Sequence, residues 1–270
     1  LNNLDSVRAD IRKGYFQKNT SGIMPSLVQG NVVIMPKLWA DEFIEFCKKN
    51  PTPCPLIGVS PEGSPSIAEL GDNLDIRIDL PEYNIFTRGE LSGTTTDILS
   101  YWRDDSVAMV LGCSFSFENA LQSAGLEIIN VSNGTNVSMY DTSIPTKSTH
   151  HFNCNMVVSM RPFKEHQIDE VILITSQYSK AHGAPVHVGD PEAIGIKDIN
   201  KPEYGSPVPL EDDDIPVFWG CGVTTQAAIK NAKLPLVITH APGKMLITDF
   251  TYPELMSRSS FAGELLQVNC

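Results

Sequence analysis

The chain predicts an α/β protein. The expected main domain is layered, on a mixed, largely parallel sheet, and covers residues 1–125 and 170–270. A smaller two-layer α+β lobe is expected as an insertion at 126–169, with approximate boundaries. Three observations predict this. Short apolar runs alternate with segments of helical period, the pattern of strands joined by crossover helices. Two of those runs end in Gly-Cys and pass straight into a helix. The 270 residues, 41% hydrophobic and 19% charged, are also enough for a sizeable core. A chain of this length buries roughly 75% of the surface it exposes when unfolded, so it needs no disulfide or structural metal to fold.

Taken in order, Val32 to Met35 reads as a short buried strand ending at Pro36. Trp39 to Lys49 carries Phe43, Phe46 and Cys47 at helical spacing and is stopped by Asn50-Pro51. Leu56 to Val59 is a second buried strand. Leu74 to Leu80 alternates, so Leu74, Ile76, Ile78 and Leu80 share one face of a predicted strand and Asp75, Arg77 and Asp79 the other. Tyr83 to Thr87, a turn at Arg88-Gly89, and Leu91 predict a hairpin. Val107 to Leu111 is a strand leading into Gly112-Cys113-Ser114-Phe115-Ser116 and a helix through Ala124. Leu126 to Val131 and Met156 to Met160 read as strands around a polar, irregular stretch. A short helix at Lys164 to Glu170 precedes a buried strand at Val171 to Thr175. Asp190-Pro191-Glu192 is a helix start, with Asp as N-cap and Pro at the first position. Glu211 to Asp214 reads as a solvated acidic loop. Val217 to Trp219, a helix from Thr224 to Lys233, and strands at Leu236 to Thr239 and Met245 to Thr248 complete the order.

Lys and Arg number 20 and Asp and Glu 32, a formal net charge of −12. That balance argues against a nucleic-acid or anionic-membrane binder, which needs a basic face. Small anions stay admissible, because a few focused arginines can bind them inside an acidic shell. No apolar run reaches the ~20 residues of a membrane span. The cysteines at 47, 54, 113, 154, 221 and 270 show neither CxxC nor zinc-ribbon spacing. They are read mostly as reduced thiols in a cytoplasmic protein. The chain begins Leu1-Asn2-Asn3 without an initiator Met, which leaves room for a targeting segment upstream. Three N-x-S/T triplets, from Asn130, Asn133 and Asn136, are read as a polar turn rather than as glycosylation acceptors.

Two segments align without a gap. Gly112-Cys113-Ser114-Phe115-Ser116-Phe117-Glu118 faces Gly220-Cys221-Gly222-Val223-Thr224-Thr225-Gln226, each after an apolar strand. Strands ending in Thr175 and Thr239, and then His182-Gly183-Ala184-Pro185 and His240-Ala241-Pro242-Gly243, follow in turn. A duplication predicts two helix N-termini in pseudo-symmetric positions, both able to receive an anion; chance convergence of strand–Gly–helix joints is the competing explanation.

These joints are the first chemical candidates. Free backbone N–H groups beside the positive end of a helix stabilise a carboxylate or a developing oxyanion. They also depress the pKa of a cysteine placed there, making Cys113 a candidate nucleophile; a small buried Cys under a capped helix is the bland alternative. Ser114 and Ser116 are the substrate-binding candidates of the joint, and Glu118 a further catalytic one. Neither GxGxxG nor GxxxxGK[ST] is present. His182 to Pro191 packs two His, an Asp, two Gly and two Pro into ten positions. His187 and Asp190 can be a base and its orienter, with His182 and His240 as further catalytic candidates, or the two can join His182 and His240 in holding a divalent metal. Asp190 is equally a helix cap. Arg77, Arg103 and Arg161 can each clamp a carboxylate bidentately or form a structural ion pair. His150-His151 reads as surface.

Together the motifs resemble the D-glutamate cyclase and hydro-lyase family. The matching pieces are Val28-Gln29-Gly30-Asn31, Asn50-Pro51-Thr52-Pro53-Cys54-Pro55-Leu56, Asp75 to Pro81, Trp102-Arg103-Asp104-Asp105, Gly112 to Glu118, Ser159-Met160-Arg161-Pro162, His182 to Pro191, Val217 to Thr224 and Thr239 to Gly243. The resemblance implies a two-part α/β fold and a lyase that removes water, in amino-acid metabolism. In the characterised branch D-glutamate closes to 5-oxo-D-proline. That branch is mitochondrial in animals and carries a further C-terminal domain, whereas Cys221-Gly222-Val223-Thr224 looks like the compact microbial branch. Lactam closure needs a base for the amine and an acid or oxyanion site for the γ-carboxyl group. The expectation is His187 or His182, oriented by Asp190, as base and acid. The Cys113–Ser116 helix start then holds the reacting carboxyl, and Arg77, Arg103 or Arg161 the α-carboxylate. No cofactor is required in this scheme. A metal-dependent amide hydrolase and a non-catalytic carboxylate-binding protein are the alternatives. The expected partner is a small carboxylate, with homodimerisation left open.

Overall fold

A computed structural model describes residues 3–258; Cys270 lies outside the described residues. Two antiparallel sheets organise it. The first sheet contains β1 (Leu27–Pro36), β2 (Leu56–Val59), β3 (Tyr83–Thr87), β4 (Glu90–Thr95), β5 (Ser106–Gly112), β10 (Val237–His240) and β11 (Leu246–Thr251). Its order is β2-β5-β1-β10-β3-β4, with β11 also paired to β1. The second contains β6 (Ser138–Pro145), β7 (Asn155–Lys164), β8 (His187–Val188) and β9 (Asp214–Gly220), in the order β6-β7-β9-β8. The α-helices among the described residues are α1 (Leu4–Arg12), α2 (Lys37–Lys49), α3 (Phe115–Ser123), α4 (Ile129–Ser132), α5 (Ile168–Ser176), α6 (Val223–Ala232) and α7 (Tyr252–Arg258).

The expectation of a largely parallel sheet is therefore corrected: every strand pair in both sheets is antiparallel. The cause is visible in the burial. Val32 and Ile34 of β1, with Ala108 and Val110 of β5, face a core closed by Leu74, Ile76, Tyr83 and Tyr252. Val33 and Met35, with Val107, Met109 and Leu111, face the opposite core, closed by Phe43 and Phe46 of α2 and Ile229 of α6. Strands buried on both faces read as continuous apolar runs whichever way their neighbours point. The second sheet is sandwiched in the same way. Val217 and Trp219 pack on Phe117, Leu121 and Val171, while Phe218 packs on the other side with Tyr140, Ile194 and Val208.

Three predicted strands are something else. Val171 to Thr175 belongs to α5, where Val171 and Thr175 are the buried pair at i, i+4 and Asp169 and Glu170 occupy the favourable first turn. A short apolar run cannot be assigned by periodicity alone. Within Leu126 to Val131, residues from Ile129 turn into α4, with Asn130 buried. Leu74 to Leu80 is a chain of turns. Leu74, Ile76 and Leu80 are buried as the alternation predicts, but side chains take the backbone's hydrogen bonds. The Asp79 carboxylate accepts from the Asp75 N–H at 2.7 Å, and the Asp75 carboxylate from the Arg77 N–H at 3.0 Å. Such local bonds compete with a sheet ladder. β6 runs through the stretch expected to be irregular. The second sheet takes β6 and β7 from within the expected 126–169 lobe, and β8 and β9 from farther along the chain.

The two layers are tied where the β6–β7 connection crosses to α2. Phe152 packs edge-on to Phe43 with centroids 5.1 Å apart. The Asn50 side chain donates to the Lys147 carbonyl and accepts from its N–H, at 2.9 and 2.8 Å. Among the described residues no helix is long and apolar enough to cross a membrane.

Candidate active site

β5 ends at Gly112 and feeds α3; β9 ends at Gly220 and feeds α6. The two joints are built alike. In the β1–β5 register Gly112 faces Gly30, and the Ser116 hydroxyl of α3 accepts from the N–H of Gln29, one residue before Gly30, at 3.4 Å. In the β7–β9 register Gly220 faces Val158, and the Thr224 hydroxyl of α6 accepts from the N–H of Val157, one residue before Val158, at 3.0 Å. Each joint thus returns its helix onto the strand that pairs with the incoming one. Gly112 is required by space: a Cβ there would lie 1.6 Å from the Lys180 carbonyl oxygen.

Both joints open on one small cavity of about 30 Å³, lined by Cys113, Ser114, Cys221 and Gly222, by His182 and His240, and by Asn31, Asn136, Met139 and Met245. Among the described residues the N–H groups of Ser114 and Gly222 have no hydrogen-bond partner. They are the unsatisfied donors that every helix start leaves, and two such starts give one cavity two partial positive charges. Among the described residues no Asp, Glu, Lys or Arg lines it.

His182 and His240 are 2% and 1% exposed. The Nδ1 of His182 lies 2.9 Å from the Thr52 carbonyl. A carbonyl only accepts, so Nδ1 carries the proton and Nε2 the lone pair. His182 takes a left-handed backbone, φ +78°, and Gly183 follows at φ +68°, a conformation that glycine adopts without steric cost. The Nδ1 of His240 sits 3.2 Å from the N–H and 3.3 Å from the carbonyl of Val32, at the point where the β1–β10 ladder ends. Burial pushes both imidazoles down to about 4, so both are neutral at neutral pH. For His182 the Arg161 charge adds to that effect.

The thiols go the other way. Burial pushes Cys113 up to about 12 and Cys221 up to about 11, although each accepts from a backbone N–H, of Phe115 and Val223. The helix start is present, but desolvation outweighs it, so Cys113 is held as a thiol.

Arg161 comes close without entering the cavity. It is 1% exposed, and its donors are engaged: Nη2 with Glu118 Oε1 at 2.5 Å, Nε with the same oxygen at 3.2 Å, Nη1 with Ser159 Oγ at 3.2 Å and Nη2 with Ser114 Oγ at 3.1 Å. It also stacks over Phe117 and Trp219. Glu118 and Arg161 therefore brace the first joint from behind, through Ser114.

The other predicted residues lie apart. Arg77 pairs with Asp75 at 2.7 Å in the 74–80 turns. Arg103 is 65% exposed and pairs with Asp105; it precedes β5 at the end opposite Gly112, roughly 20 Å away along the strand. His187 is half-buried on β8, its Nε2 2.7 Å from the Asp190 carbonyl rather than the carboxylate. The Asp190 carboxylate caps the following turn, accepting from the Glu192 N–H at 2.9 Å. His182, His187 and His240 do not come together as a three-ligand group. Among the described residues the groups that do, Glu211, Asp213 and Asp214, surround the Lys164 ammonium at 2.7, 2.6 and 2.9 Å.

Sequence reasoning passed over Asn31, Thr52 and Asn136 as site residues. Asn31 is the one with a signal: Gln29-Gly30-Asn31 interrupts an apolar strand with polar residues, and both Gln29 and Asn31 are buried.

The D-glutamate cyclase family model matches residues 107–249, which contain both joints and both cavity histidines. A protein of Shewanella woodyi named "Putative hydro-lyase" is 53% identical over 255 residues, covering 94% of this chain and 95% of the relative. One of the same name from Aliivibrio fischeri is 50% identical, covering 91% and 92%, and one from Bradyrhizobium sp. is 53% identical, covering 92% and 91%. A solved nitrogen repressor-like protein from Methanococcus jannaschii aligns over 83% of this chain and 88% of its own at 10% identity and a TM-score of 0.34, a likeness too slight to carry an argument. With a family model spanning both joints and relatives at half identity over nearly the whole length, the chain belongs to the D-glutamate cyclase family.

Proposed function

We propose that the protein is a hydro-lyase acting on a small amino or hydroxy acid, and that its reaction is closure of D-glutamate to 5-oxo-D-proline with loss of water. The observation that carries this reading is the convergence of two helix starts and two neutral buried imidazoles on one cavity without charged side chains of its own. The hydro-lyase naming of the relatives supports the reaction class.

In lactam closure the ammonium nitrogen gives up two protons, forms a bond to the γ-carboxyl carbon, and one carboxyl oxygen leaves with both protons as water. The free N–H groups of Ser114 and Gly222 hold the oxygen on which charge develops. His182, with its lone pair on Nε2, takes a proton from the nitrogen and delivers it to the departing oxygen; His240 serves the second transfer. A neutral imidazole is ready to accept at neutral pH, and a bound carboxylate strengthens it as a base. The cavity holds about two waters, far less than glutamate, so its walls part on binding.

Incubating the purified protein with D-glutamate and following the mixture by NMR tests the reading. The resonances of 5-oxo-D-proline grow in, and L-glutamate serves as the stereochemical comparison. No product from D-glutamate at stoichiometric protein overturns cyclase activity.

A further inference from the structure

We propose that Asn31 is the specificity-determining residue that recognises the substrate's amine. The inference rests on the cavity being the catalytic site. Asn31 lies on β1 opposite Leu111 and is 4% exposed, yet it lines the cavity. Its Nδ2 donates to the Gly112 carbonyl at 2.9 Å, which fixes the orientation of the amide and turns Oδ1 away from that carbonyl. Among the described residues Oδ1 has no hydrogen-bond partner. On its other side the amide lies against Gly222, where a Cβ would come within 2.4 Å of it. Asn31 is therefore wedged between the two joints, bonded to one and in contact with the other.

Its chemistry complements theirs. The Ser114 and Gly222 N–H groups are donors and suit carboxylate oxygens. An amide oxygen only accepts, so it repels a carboxylate and suits N–H. His182 Nε2 also accepts, but its task is to remove a proton. Asn31 cannot take one at neutral pH, so it holds the nitrogen while the imidazole acts.

D-glutamate and glutarate carry the same two carboxylates and differ in the nitrogen. Their dissociation constants, read from the ligand dependence of thermal stability, provide the test. The wild-type protein should bind D-glutamate about tenfold to a hundredfold more tightly than glutarate, the range for a hydrogen bond to a charged group. Asn31→Ala should abolish that preference and leave the glutarate constant within about threefold. Asn31→Asp keeps the acceptor and should keep the preference while weakening both ligands through charge repulsion. Equal weakening of both ligands by Asn31→Ala, or an unchanged preference, overturns the role of Asn31 and leaves the cavity reading standing. If neither ligand binds the wild-type protein, both fall. Should Asn31→Ala fail to fold, a folded Asn31→Asp variant that has lost the preference is sufficient to reject the proposal.

Discussion

The guanidinium of Arg161 on β7 and the carboxylate of Glu118 on α3 meet at 2.5 Å, with side chains 1% and 4% exposed. The pair joins the second sheet to the helix that starts at the first joint. Removing one partner strands the other charge in the interior, which costs about 3–5 kcal/mol, whereas removing both costs much less. Glu118→Gln and Arg161→Met should each lower unfolding stability by about that amount, and the double variant by less than either. Urea denaturation of the four proteins checks this. Arg161→Lys should not rescue, because one ammonium cannot reach Glu118, Ser114 and Ser159 in the planar geometry that guanidinium provides. Single variants that lose under about 1 kcal/mol would reduce the pair to a surface-like contact.

The buried imidazoles set a pH dependence. Above about 6.5 a histidine is neutral in both folded and unfolded chains. Between there and about 4, where burial holds His182 and His240, only the unfolded chain takes up the proton, so stability falls as pH falls. Below about 4 both states are protonated and this contribution stops growing. Each histidine should account for ~3 kcal/mol over that window. His182→Asn, whose side chain tolerates the left-handed backbone, and His240→Gln should each remove part of the slope. Denaturant midpoints taken at intervals across the window read it directly, and variants with an unchanged slope would show that the rings titrate normally.

Placement separates the histidines into two groups. His182 and His240 line the cavity, while His187 bonds a backbone carbonyl on the second sheet. His182→Gln and His240→Gln should lower kcat for product formation by about 10²–10⁴-fold, the usual share of a general acid or base. His187→Ala should keep kcat within about threefold of wild type. Cys113→Ser should also retain turnover, since the thiol is held protonated. Steady-state rates for the four variants decide. A His187→Ala protein that folds and is inactive would move the chemistry to the His182–Pro191 segment as a whole.

The two joints are more legible in the sequence than the sheet is. Gly112-Cys113 and Gly220-Cys221 are readable because a strand, a glycine and a hydroxyl-bearing helix start are local, and their likeness predicts two related joints. The direction of pairing was not readable. Val32 to Met35 is buried on both faces, and such a run carries no trace of whether its neighbours are parallel. Asn31 and Thr52 escaped for a different reason. Their roles come from register and crossing, with Asn31 against Gly222 and Thr52 against His182, relations between residues more than a hundred positions apart.

Three glycines test how tightly the joints are packed. At Gly112 a Cβ would lie 1.6 Å from the Lys180 carbonyl oxygen. That oxygen is backbone, in a turn anchored by the Lys180 N–H, which donates to the Tyr252 hydroxyl at 2.9 Å, so it cannot retreat cheaply. Gly112→Ala should cost about 3 kcal/mol or more, at the upper end for overpacking. At Gly222 the obstacle is the Asn31 side chain at 2.4 Å, which can rotate. Gly222→Ala should therefore cost less stability, about 1–3 kcal/mol, but should displace the amide and lose the preference for D-glutamate over glutarate as Asn31→Ala does. Around Gly93 on β4 a Cβ would meet nothing within 4 Å, and there Ala should be neutral or stabilising by up to about 1 kcal/mol, because glycine loses more backbone freedom on folding. Thermal melts with and without each ligand rank the three. If Gly222→Ala kept the wild-type ligand preference, the contact between Asn31 and the second joint would be dispensable for recognition. The order Gly112 worst, Gly222 intermediate and Gly93 harmless follows from whether the atom in the way is backbone, a rotatable side chain or solvent.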